Sequence, residues 1–120
     1  MTTLFGIKNC DTVKKARTWL DQHNLDYQFH DVRSDGLTES KVKEWLENVD
    51  WQVLVNKRSS TWKQLSDGVK QSLNEANVIQ VMLNNPTLIK RPVLEYNNAV
   101  FVGFKPAEYE SIFPAPNESA

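Results

Sequence analysis

The chain is short of cysteine, of glycine and of long apolar runs, and each shortage excludes something. One cysteine among 120 residues, Cys10, rules out an internal disulfide. Four glycines, none clustered, leave no glycine-rich loop to cradle a phosphate. No apolar run reaches the roughly eighteen residues of a membrane span, so no transmembrane helix is expected. The N-terminus, MTTLFGIKNC, lacks the basic start and apolar stretch of a secretory signal. A formal net charge of -1 gives no reason to expect nucleic acid or an anionic membrane as partner. His23 and His30 with Cys10 lack zinc-type spacing, so no metal is expected. These shortages point to the cytoplasm, where a lone thiol stays reduced.

What remains is ordinary for a globular domain: 40% hydrophobic and 24% charged residues. The reading is one domain over residues 1–115, monomeric, with a frayed tail at 116–120. TTLFGI reads as a first strand. Val13, Ala16, Leu20 and His23 share one face of the helix that follows, capped by Asp11 or Thr12. DYQFHDV alternates as a second strand, and the short crossover makes the two strands parallel. A helical insert occupies about 38–86. Thr38 caps its first helix, and Val42, Trp45, Leu46 and Val49 form the apolar stripe. WQVLVN suits a short strand or a helical turn equally. Residues 60–85 read as helical pieces broken near Gly68 and Asn77. RPVLEY and AVFVGF flank Asn97-Asn98 as a β-hairpin with a type I′ turn. KPAEYESIF is a final helix with Pro106 in its first turn. The order is β-α-β, a helical middle, then β-β-α. That is an α/β, thioredoxin-like topology with a helical insertion between the halves.

Chemistry concentrates at Cys10. The thiol falls where a strand ends and a helix begins, among Lys8, Asn9, Asp11 and Thr12. The positive end of a helix dipole and its unpaired amides stabilise thiolate over thiol, and Lys8 adds a positive charge. Asp11 opposes that effect. The dithiol form of such a site is Cys-x-x-Cys, but here the fourth position of CDTV is Val13. Any adduct on Cys10 must therefore be cleared by an outside thiol, for which glutathione is the natural candidate. In IKRPVL, Arg91 precedes Pro92 at the opening of a strand. In this topology that loop faces the cysteine and its X-Pro bond is usually cis. Arg91 then points toward Cys10 and offers a planar fork of donors to an anion.

With CDT at the strand–helix junction and RPVL after a helical middle, the chain resembles the arsenate reductase/Spx/YffB family. The likeness runs from LFGIKNC to GFKPAEY. NCDTVKKARTWL, KRP and GFKP are most similar to the YffB branch. The resemblance implies a thioredoxin-like fold with a helical insertion, a catalytic cysteine in the first loop, and basic residues that bind an oxyanion. Carried over by position, it makes Cys10 the catalytic cysteine and Arg91 the arginine before the cis-proline. Two further arginines of the glutathione-coupled arsenate reductases fall here at Asn56 and Lys105, and their histidine before the cysteine falls at Gly6. Lys57 and Arg58 lie beside Asn56. Lys105 keeps charge but loses the bidentate fork.

The implied activity is a glutathione-dependent thiol oxidoreductase with a single catalytic cysteine. It would reduce an arsenate-like oxyanion or a mixed disulfide. Lys8, Asp11, Thr12, Arg58, Arg91, Pro92 and Lys105 would bind substrate or glutathione. Glutathione would be a co-substrate, with no tightly bound cofactor and with glutaredoxin as a further partner. The Spx branch implies an alternative, a regulatory module that binds RNA polymerase. That branch usually carries a Cys-x-x-Cys switch, which Val13 removes here.

Overall fold

The structure, a computed structural model, describes residues 2–113. The expected frayed tail lies outside the described residues. β1 (Thr3–Gly6) leads through α1 (Asp11–Gln22) to β2 (Gln28–Asp31), and the two strands pair in parallel with Gly6 opposite Asp31. β3 (Val93–Tyr96) and β4 (Ala99–Val102) form the hairpin, and α7 (Pro106–Ile112) closes the described chain. The sheet order is β2-β1-β3-β4, with β3 antiparallel to both β1 and β4. This is the thioredoxin-like fold. Asn97 and Asn98 take φ of 54° and 64°, as a type I′ turn requires. No helix among the described residues is long and apolar enough to cross a membrane.

The period of the strands divides the core. Leu4 and Leu94 are register partners and join Ala16, Trp19, Leu20, Tyr109 and Phe113, under α1 and α7. Phe5 and Val93, the next pair, face the other way and join Trp45, Leu54, Val78, Met82 and Leu88 of the insert. The insert thus covers the second face of the sheet. It comprises α2 (Glu39–Asn48), α3 (Trp51–Leu54), α4 (Ser60–Gln64), α5 (Asp67–Ser72), α6 (Glu75–Asn84) and a 3-10 turn at Pro86–Leu88. Thr38 caps α2 by accepting from the Lys41 amide.

Three local readings change. WQVLVN resolves into the single turn α3, followed by one bridge from Val55 to Ile89. The breaks expected near Gly68 and Asn77 fall earlier, because polar caps rather than poor helix formers set them. The Ser66 hydroxyl accepts from the Val69 amide and starts α5, which leaves Gly68 inside the helix. Asn74 accepts from the Ala76 and Asn77 amides, and the Asn77 side chain accepts from the Asn74 amide, so Asn77 completes a capping box. Finally, α1 is capped by neither Asp11 nor Thr12. A turn closed by the Cys10 amide on the Ile7 carbonyl (3.1 Å) starts the helix one residue sooner, with Cys10 itself at the N-cap.

Candidate functional site

Cys10 ends a tight turn out of β1 and holds extended backbone angles, φ -90° and ψ 123°, before α1 begins. Ser, Thr, Asp or Asn at this position would offer an oxygen to the first free amides. Cys10 makes no such side-chain bond. The amides of the first turn therefore have no acceptor from the N-cap side chain. Cys10 is half-buried and packs against the Phe5–Ile7 side of the core. Asp11 and Thr12 are exposed.

Two features hold this turn in place. Gly6 lies so close to α1 that a Cβ there would stand 2.7 Å from Val13 Cγ2. A side chain at position 6 and Val13 at the helix compete for one space. Asp31, at the end of β2, is only 4% exposed. Its Oδ2 accepts from the Lys8 amide (3.1 Å), and its Oδ1 from the amides of Arg33 (2.8 Å) and Ser34 (3.0 Å). Burial works to raise the Asp31 pKa. The Ser34, Lys8 and Arg33 amides, with the Lys8 charge, outweigh it and hold the carboxyl below 3.8. Lys8 thus meets Asp31 through its backbone. The sequence singles out Asp31 only by strand alternation; its reach across to Lys8 is visible only in the fold.

Beside the first turn of α1 lies an open cleft of about 710 Å³. It is bounded by Thr12, by Gln52, Val53 and Val55–Arg58 of the insert, by Lys90 and Arg91 before β3, and by Val102–Lys105 with Glu108 before and within α7. Lys57, Arg58, Lys90, Arg91 and Lys105 bring five cations to its walls, in a chain of net charge -1. None of the five forms an ion pair among the described residues. Lys57 Nζ stands 5.7 Å over the Trp62 ring. Asn56 spends its side-chain oxygen on the Arg58 amide (3.0 Å).

The Arg91–Pro92 peptide is cis. Pro92 is buried at the head of β3, while Arg91 is half-buried. The Arg91 guanidinium is drawn back to Thr87, where Nη1 donates to the carbonyl at 3.1 Å, and its buried Nε has no partner. No hydrogen bond joins Arg91 to Cys10 among the described residues. Of the residues singled out in the sequence, the cleft gathers Thr12, Arg58, Arg91 and Lys105. Cys10, Asp11, Lys8 and Pro92 lie outside its lining. Lys90 and Glu108 line it without having been singled out as site residues.

The histidines hold structural positions. His23 Nδ1 is 2.8 Å from the Trp19 carbonyl and its ring stacks on Trp19 at 3.8 Å. His30 Nε2 is 2.7 Å from the Gly36 carbonyl. Among the described residues, no three His, Cys, Asp or Glu side chains are grouped to hold a metal ion.

Comparison with known proteins gives this arrangement a family. The model of the ArsC family matches residues 5–112. A Haemophilus influenzae protein is 46% identical over 113 residues, covering 94% of this chain and 99% of its own. The global transcriptional regulator Spx of Streptococcus mutans is 28% identical over 117 residues, covering 95% of this chain and 84% of its own. Among solved structures, a YFFB protein superposes with a TM-score of 0.88 at 43% identity, over 92% of this chain and 97% of its own. An arsenate reductase (ArsC) related protein from Brucella melitensis superposes with a TM-score of 0.76 at 44% identity, over 92% of each chain. A family match that takes in the cysteine turn, the helical insert and the hairpin, with close relatives aligned almost end to end, leaves one conclusion: the chain belongs to the ArsC family.

Proposed function

We propose that this protein is a glutathione-dependent thiol oxidoreductase with Cys10 as its single nucleophile. The observation that carries the reading is the cleft of five cations, without ion pairs among the described residues, beside the first turn of the helix that has Cys10 at its N-cap. Such charges repel one another, and an anionic ligand relieves the repulsion. Glutathione brings two carboxylates and a thiol. Cys10 stands at the N-cap of α1, beside the first-turn amides at Asp11 and Thr12. Arg91, Arg58 and Lys105 hold the anionic groups, and Pro92 fixes the loop that presents Arg91.

For a glutathione mixed disulfide, the Cys10 thiolate attacks the glutathione sulfur. The old S–S bond breaks, and the released thiolate takes a proton from solvent. A second glutathione thiolate then attacks the glutathione sulfur of the Cys10 adduct, which frees Cys10 and yields glutathione disulfide. The substrate disulfide is reduced, and two glutathione sulfurs end joined and oxidised. Glutaredoxin is an alternative acceptor of the adduct. An arsenate-like oxyanion is the second substrate class, served less well where Asn56 and Lys105 stand in place of arginine. The setting is a reducing cytoplasm, and the working unit a monomer.

The test is release of peptide thiol from a glutathionylated peptide in the presence of glutathione. Cys10→Ser should lower the rate to near background, a loss approaching about a millionfold, the scale seen when a serine protease loses its nucleophile. Unchanged turnover by Cys10→Ser would refute the mechanism.

The similarity to Spx over 95% of the chain supports a second reading, a module that docks on RNA polymerase. It predicts that purified polymerase binds wild type and Cys10→Ser alike, and that neither reduces the peptide.

A further inference from the structure

The cationic cleft has one carboxylate on its wall, Glu108. Glu108 sits in the first turn of α7, three residues after Lys105 and exposed. Its backbone carbonyl accepts from the Ser111 hydroxyl, and its side chain forms no ion pair with a described residue despite five cations around the same cleft. A carboxylate near a helix N-terminus suits the dipole. That role does not require it to face a cation-lined cleft.

We infer that Glu108 reads a primary ammonium on the ligand, and that the cleft selects zwitterionic γ-glutamyl thiols over simple oxyanions. The inference rests on the glutathione reading above and adds a specificity residue to it. The charges are complementary in kind. Two carboxylates of the ligand meet the lysines and arginines, and its one ammonium meets the one acid. An arsenate or phosphate ion has no positive group, so Glu108 presents it only with a like charge. The cleft volume of about 710 Å³ suits a ligand of tripeptide size.

The experiment is calorimetric titration at low ionic strength with three probes that do not react. They are S-methylglutathione, its N-acetyl derivative, which lacks the ammonium, and inorganic phosphate. Glu108→Gln should weaken S-methylglutathione binding by about fivefold, the upper range for an exposed charge pair. It should strengthen both the N-acetyl derivative and phosphate, which carry no positive group. Equal binding of S-methylglutathione by wild type and Glu108→Gln overturns the role of Glu108 while leaving the glutathione reading intact. If wild type binds phosphate but neither glutathione probe, the glutathione reading fails, and the assignment of Glu108 falls with it. Thermal melting of Glu108→Gln at the wild-type temperature confirms that the comparison is between folded proteins.

Discussion

Two charged regions of this molecule are built on opposite rules. Where the insert meets β3, the charges are partnered. Lys41 Nζ lies 3.0 Å from Glu95 and 3.1 Å from Glu44, and Trp45 Nε1 donates to Glu95 at 2.8 Å. Partial burial works to lower the Lys41 pKa, but Glu95 and Glu44 outweigh it and raise it above 10.5. Across the fold, the cleft holds five cations and no ion pair among the described residues. Self-contained charge fastens one element to another. Uncompensated charge of one sign weakens the fold slightly and waits for something from outside. The buried Asp31, satisfied by three amides, belongs with the first kind although it lies beneath the cysteine turn.

The sharpest break of this contrast is Asp31→Ala. It leaves the amides of Lys8, Arg33 and Ser34 without their acceptor, at an expected cost of about 3 kcal/mol in urea unfolding. The same residue gives a pH signature. Because its folded pKa is depressed, its contribution is complete above 3.8 and fades as pH falls through the lower folded value. Melting temperatures taken down to acid pH should fall more steeply for wild type than for Asp31→Ala; parallel slopes would remove Asp31 as the acid-sensitive clamp.

Next in size is Arg91→Ala, a change on the unpartnered side. It should weaken S-methylglutathione about tenfold or more, the worth of a charged hydrogen bond, and move stability little. A large loss of stability with binding retained would make Arg91 a structural tie to Thr87. Glu95→Ala should do the reverse. Stranding Lys41 and the Trp45 indole should cost about 1–2 kcal/mol of unfolding free energy, with ligand affinity unchanged. The smallest effect is expected from Lys105→Arg. Restoring the fork should tighten phosphate by about two- to threefold with no change in melting, within the range of an exposed charge contact.

The sequence by itself determined what depends on neighbours a few residues apart. The short apolar run of TTLFGI, alternation in DYQFHDV, the 3.6-residue stripe of Val42, Trp45, Leu46 and Val49, and Asn97-Asn98 between two apolar runs encode elements locally, and their order gives the topology. The α1 boundary was less legible, because Cys10 becomes the N-cap through a turn that ends at the Ile7 carbonyl. The breaks at Ser66 and Asn74 are local as well, but they are set by polar caps rather than by Gly68 and Asn77. Only tertiary structure decided what joins distant segments. Asp31 reaches Lys8 because parallel pairing sets Gly6 opposite Asp31. Arg58, Arg91, Lys105 and Glu108 share one cleft because the insert, the loop before β3 and the start of α7 end at the same side of the sheet. Backbone preference is a short-range quantity that a sequence displays directly. The meeting of charges from three segments is a product of packing, and no single segment contains it.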